Sequence, residues 1–66
     1  MYAQVCFPFF INKTFTYKVP IKLHAIITEG DLVDVKFKNK ECKGFVVSCS
    51  DSLSYKGKIN SIKSVD

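Results

Sequence analysis

Alternation with a period of two constrains this chain more than any other feature. In "LVDVKFKN", Leu32 to Asn39, the apolar residues Val33, Val35 and Phe37 recur at every second position, and Asp34, Lys36 and Lys38 fall between them. Successive side chains of a strand point to opposite faces, so this stretch is a strand with one buried and one wetted side. The same period returns in "YAQVCF" (Tyr2 to Phe7), with Ala3, Val5 and Phe7 on one face. It returns again in "TFTYKV" (Thr14 to Val19), where Phe15, Tyr17 and Val19 oppose Thr14, Thr16 and Lys18.

A fourth stretch, "KGFVVSC" (Lys43 to Cys49), places Phe45, Val47 and Cys49 together. Across the "KNKE" turn it pairs with the strand before it, giving a β-hairpin with Val35, Phe37, Phe45 and Val47 on its inner face; Asn39 tolerates the positive φ a tight turn needs. "KINSIKSV" (Lys58 to Val65) reads as a weaker final strand because Ile59 and Ile62 break the period. Pro8 closes the first strand, since proline donates no ladder bond. "TEGD" is a turn and "SDSLSYKGK" a polar loop. Pro20 to Gly30 mixes periods and fits either one or two helical turns or an irregular connection. The predicted fold is mainly β: a small five- to six-stranded barrel-like domain, OB- or SH3-like, with one short helical turn. Gly44 is expected where two backbones approach or a strand bends at a barrel corner.

Sixty-six residues make one small domain, over 1–66, of marginal stability. So short a chain offers little protein to wall a cleft, which favours a binding module over a catalyst. Nine aromatic residues and a 47% hydrophobic content are enough apolar surface to fold, so disorder is not expected. No apolar run approaches the roughly 20 residues of a spanning helix, and the reading is a cytoplasmic monomer with no membrane contact.

The residues hold no catalytic pattern. His24 is the only histidine, and no G-x-S-x-G surrounds a serine. Asp31 and Asp34, three apart in a strand, diverge to opposite faces. Gly30, Gly44 and Gly57 lie too far apart for a phosphate-binding loop. Cys6, Cys42 and Cys49 lack C-x-x-C spacing, so neither a disulfide framework nor a zinc site is indicated. No catalytic residue, metal or cofactor is therefore assigned to this chain.

Charge carries more information. Ten basic residues face six acidic ones, a net of +4, and an anionic partner follows. All ten are lysine. Lysine is a flexible point charge, whereas the planar guanidinium of arginine reads base edges bidentately, so phosphate contact fits better than sequence readout. Lys36, Lys38, Lys40 and Lys43 gather on one hairpin, where they serve either a phosphate-binding groove or the protection of an exposed sheet edge.

The order of motifs goes further. Pro8, then "TFTY" (Thr14 to Tyr17), Pro20, "GDLVDVKF" (Gly30 to Phe37) and "GFVVS" (Gly44 to Ser48) together resemble the amino-terminal 3′-end DNA-binding domain of the PriA family, the primosomal replication-restart helicases. The family series P-x5-T-F-D-Y, G-x-x-V-x-V-P-F and G-[IF]-V-V-S is similar across nearly the whole chain.

The resemblance implies a module that captures the 3′ end of the leading strand at a stalled fork. It implies a place ahead of an ATP-dependent helicase motor and zinc-binding cysteines, neither of which this chain contains. DNA, the rest of the helicase and the primosome proteins are the implied partners. The family's terminal-base pocket uses the Phe-Asp of T-F-D-Y, a Gly after V-P-F and a Lys near the last strand. Here Phe15 and Tyr17 match, while Thr16 replaces Asp, Lys38 replaces Gly and Asn60 replaces Lys. The implied nucleic-acid-binding set is Phe15, Thr16, Tyr17, Lys36, Lys38, Lys40, Lys43 and Asn60, although for Phe15 the residue pattern favours core packing.

Two further readings compete. "EGDLVDVKFKNKECKGFVV" also resembles the start of SH3-like RNA- or ribosome-binding barrels. A protein-interaction module would use the run Phe7, Phe9 and Phe10 as an exposed anchor.

Overall fold

The computed structural model describes residues 1–51 and 59–66. Five strands form within them: β1 (Tyr2–Phe7), β2 (Phe10–Lys18), β3 (Leu32–Phe37), β4 (Lys40–Ser50) and β5 (Ser64–Val65). They make one sheet, all pairs antiparallel, in the order β2-β1-β4-β3-β5. The expected segment between Pro20 and Gly30 contains a single 3₁₀ turn at Ile21–Leu23, with Leu23 and Ile27 buried. His24 is structural, its Nε2 lying 2.9 Å from the Val19 carbonyl oxygen. The polar loop expected after Ser50 lies, from residue 52 onward, outside the described residues.

Among the described residues the ladder does not close, so the barrel-like expectation is not confirmed. β2 and β5 are the sheet's two edges, and what lies between them is the segment around Asn60 to Ile62. Lys18 donates its N–H to the Asn60 carbonyl and accepts from the Ile62 N–H, both at 2.9 Å. On its other side the same segment donates from Lys63 N–H to the Asp34 carbonyl at 2.8 Å. This is one bridge, Lys18 to Ser61, rather than a strand pair. The broken period at Ile59 and Ile62 explains it: Ile62 is buried with the core, but no regular strand surrounds it.

The inner face carries the core. Ala3, Val5 and Phe7 of β1 are fully buried beside Tyr17 and Val19, Val33 and Val35, Val46 and Ile62. For β1, β2 and β3 this is the face that the alternation predicts. For β4 it is not. Phe45 and Val47 remain 45% and 48% exposed, while Gly44 and Val46 are buried. The reason is a bulge against β1: Gln4 pairs with Ser48 but Val5 pairs with Val46, so Val47 is an extra residue. An extra residue reverses the phase of a strand. Cys49, beyond the bulge, packs on the core as the period suggests, whereas Phe45 and Val47, at and before it, face outward.

Gly44 has a different role from the one expected. It lies under two β1 side chains: a Cβ there would sit 2.5 Å from Val5 Cγ1 and 3.0 Å from the Phe7 ring. No residue with a side chain fits without moving them.

The two hairpins differ in their turns. Phe37 pairs with Lys40, leaving Lys38 and Asn39 as a two-residue loop with φ of 50° and 66°. Two positive φ values are what a type I′ turn demands, and they match the right-handed twist of the strands. Between β1 and β2, Phe7 pairs with Phe10 around Pro8 and Phe9, yet Cys6 pairs with Thr14. One step along β1 thus spans four residues of β2, and Lys13 stands in this irregular stretch.

Candidate nucleic-acid interface

The sheet's open β2 edge, the β3–β4 turn and the crossing segment enclose a groove of about 440 Å³. Its walls are Lys13 to Tyr17 from β2, Lys36 to Lys38 at the end of β3, and Ile59 with Asn60. Antiparallel pairing places the groove where backbone groups are available. Because Lys18 bonds away from β1 to Asn60 and Ile62, alternation turns the N–H and C=O of Thr16 and Thr14 to that same open side.

Two aromatic rings form the floor. Phe15 and Phe37 meet edge to face with centroids 4.8 Å apart and planes at 69°. Both rest on buried Phe7, at 5.7 and 4.9 Å. Phe7 in turn lies over Gly44, so the glycine sets the depth of the floor. Tyr17 fixes the β2 wall to β3, its hydroxyl donating to the Lys36 carbonyl at 2.7 Å. Burial, with a smaller contribution from Cys42, pushes the Tyr17 hydroxyl above its ordinary pKa, so it stays a proton donor at neutral pH.

Two lysines lie over the rings. Lys13 Nζ lies 5.5 Å from the centroid of Phe15, and Lys38 Nζ lies 5.5 Å from that of Phe37. These are cation–π distances. Lys36 also lines the groove but stands opposite Glu41 in the β3–β4 ladder, and among the described residues no acidic residue lines the groove. Thr16 accepts a 2.8 Å hydrogen bond from Gln4 Nε2, while Thr14 donates to Gln4 Oε1 at 3.2 Å. The Thr16 hydroxyl therefore keeps its own proton to donate.

The structure thus brings six of the eight residues chosen from sequence to one place: Phe15, Thr16, Tyr17, Lys36, Lys38 and Asn60. Lys40 and Lys43 lie outside the groove. Lys43 sits on the outer face between Asp34 and Asp66, at 3.3 and 2.9 Å. Hydrogen bonds that Lys43 donates to Asp66 and then to Asp34 raise its pKa, while those that Ser64 and then Lys43 donate to Asp34 lower the pKa of Asp34. Lys63 is paired likewise with Glu41, whose pKa it lowers.

Sequence reasoning missed Lys13 and Phe37 as groove residues. The mixed run "KTFTYK", Lys13 to Lys18, carried the signal for Lys13, being basic and aromatic by turns. Phe37 was hidden by its period, which marks it as core. The run Phe7, Phe9 and Phe10 is not one exposed anchor, since Phe7 is buried while Phe9 and Phe10 are exposed.

Among the described residues, no group of three or more His, Cys, Asp or Glu side chains could hold a metal ion. Among the same residues no helix is long and apolar enough to cross a membrane. No curated protein matches the chain. A family model does, over residues 4–66: that of the PriA 3′DNA-binding domain (3′BD). With an aromatic groove ringed by lysine and a match over nearly its whole length, the chain belongs to the PriA 3′DNA-binding domain family, a DNA-binding domain rather than a catalytic one.

Proposed function

We propose that this domain captures the 3′ end of a DNA strand at a stalled fork, as the recognition unit of a primosomal replication-restart helicase. The observation that carries the reading is the groove itself: Phe15 and Phe37 offer π-faces for a base, and Lys13 and Lys38 offer charge for phosphates. The ATP and zinc of such helicases belong to other parts of the protein, and the partners of this unit are DNA and the rest of the helicase.

The three replaced positions set the kind of recognition. Thr16 supplies a neutral hydroxyl where a carboxylate would accept two donors from a base, and charge-assisted hydrogen bonds are about twice as strong. Lys38, at φ 50°, occupies a backbone position that suits glycine, and it folds its ammonium over Phe37. It therefore attracts phosphate where a glycine would leave room for the base. Discrimination among the four terminal bases is weak on this account, and preference for a free 3′ end is reduced but present.

Competition between DNA bearing a 3′-hydroxyl and the same DNA bearing a 3′-phosphate tests both points. A preference of a few fold is expected. Equal binding of the two ends would remove 3′-end capture as the function. A preference of tenfold or more, about 1.4 kcal/mol, would overturn the account of Lys38. Lys38→Gly combined with Thr16→Asp is expected to sharpen the preference while lowering affinity at low salt.

A further inference from the structure

We propose that the tip of the β1–β2 hairpin is a second base-stacking site, which takes the second or third base of the strand whose end lies in the groove. The proposal rests on the reading of the groove as a DNA-end site and extends it to the chain length of the ligand. Its chemistry is that of an unpaired nucleobase on an aromatic face.

The tip presents Phe9, 60% exposed, and Phe10, 43% exposed. Phe9 is nevertheless held in place. It stacks on buried Phe7 with centroids 5.1 Å apart and planes only 19° from parallel, so one face is packed and the other is turned away from the core. Pro8 precedes it, and its ring fixes φ on the approach to the turn. A ring already immobilised on one face loses little freedom when a base stacks on the other, which is the condition for a productive platform.

The tip is also continuous with the groove. Phe9 lies 5.7 Å from Phe37, and Phe10 meets Phe15 edge to face at 5.8 Å. Each exposed ring therefore touches a floor ring of the end site. Between Phe10 and Phe15 in sequence stands Lys13, over the Phe15 ring, where it can hold the phosphate that links a base in the groove to a base on the tip. Single-strand binders combine these parts: successive aromatic faces and a basic track along the backbone. Two large exposed apolar rings beside a lysine-lined groove fit this use better than they fit solvent.

The experiment uses tetranucleotides with a free 3′-hydroxyl, measured by fluorescence anisotropy at low salt. One series has an abasic sugar at the first, second or third position from the 3′ end. Wild-type protein is compared with Phe9→Leu, which keeps apolar cover over Phe7 but removes the π-face, and with Phe9→Trp, which restores one. Amide spectra check that each variant is folded. For the wild type, an abasic sugar at the second or third position is expected to weaken binding about tenfold, the order of one lost stacking contact. Phe9→Leu is expected to lose a similar factor on intact DNA and to be indifferent to that abasic sugar, and Phe9→Trp is expected to bind as wild type does. If only the terminal base matters, the tip site is wrong and the end-binding reading stands. If an internal base matters but the terminal base and a 3′-phosphate do not, the tip site stands and end binding falls. Wild-type affinity in Phe9→Leu would overturn stacking at the tip.

Discussion

Two groups of lysines on this small sheet meet different fates. In the groove, Lys13 and Lys38 lie over aromatic rings, and among the described residues no carboxylate lines it. On the outer face, Lys43 is held by Asp34 and Asp66, and Lys63 by Glu41. The side chains are chemically identical, and what separates them is where strand pairing delivers the acids. Asp34 stands opposite Lys43 in the β3–β4 ladder, and Ser64 stands opposite Asp34 in the β3–β5 ladder, bringing Asp66 close. Net charge describes the chain, but the footprint for a polyanion is set by lysines that no acid has claimed.

The largest test of this comparison strikes the support common to the groove rings. Phe7 is fully buried beneath Phe15 and Phe37, so Phe7→Ala should cost about 3 to 5 kcal/mol and leave a domain of this size largely unfolded. Phe45→Ala, on the outer face, should cost only about 1 kcal/mol, since about half of the side chain already meets water. Calorimetry on the two variants checks this, and an unfolded Phe45→Ala protein would show that the outer face is covered.

The next effect separates the lysines directly. Lys13→Ala with Lys38→Ala should reduce the slope of log affinity against log salt by about 1.4, two single-strand phosphate contacts of about 0.7 each. Lys43→Ala with Lys63→Ala should leave that slope nearly unchanged despite the same loss of charge. Equal reductions in the two pairs would dissolve the distinction.

A smaller change concerns one backbone position. Lys38→Gly removes the left-handed strain of a residue with a side chain, so the domain should gain about 0.5 to 1 kcal/mol while losing one phosphate contact. Stability and affinity moving in opposite directions, by denaturant melts and DNA titration, is the expected signature.

The smallest effect is that of acid on the outer face. The pKa of Asp34 is lowered from 3.8 by the Ser64 hydroxyl and Lys43, so its contribution is present above 3.8 and is lost as the pH falls through the lowered value. Lys43, raised above 10.5, contributes below that pH and loses its contribution in stronger base. Amide exchange at Ser64 and Val65 should therefore quicken below pH 3.8 before the residues of β1 respond.

The site was more legible than the fold's closure. Phe15 and Thr16 could be chosen because a motif order identified their neighbourhood, and Asn60 because it falls near the last strand. Phe37 could not, since an apolar residue on the inner period looks the same whether it is buried or floors a groove. The inner faces of β1, β2 and β3 followed from period two. The register of β4 did not, because one extra residue at Val47 reverses the phase and leaves no mark in composition. Asn39 could be read as a turn residue, while Lys38 at positive φ could not: lysine has no local preference for that region, and the hairpin imposes it.

By itself, the sequence determined that this is a β domain with an excess of lysine and the motif order of the PriA 3′DNA-binding domain family, since those properties depend on residue type and spacing. Only the tertiary structure decided which lysines face a carboxylate, which aromatic rings open into a groove, and that the sheet of the described residues stays open. Each of those outcomes depends on residues distant in sequence meeting across a ladder. A bulge of one residue or a bridge at Ser61 redirects such meetings without altering the local pattern from which a sequence is read.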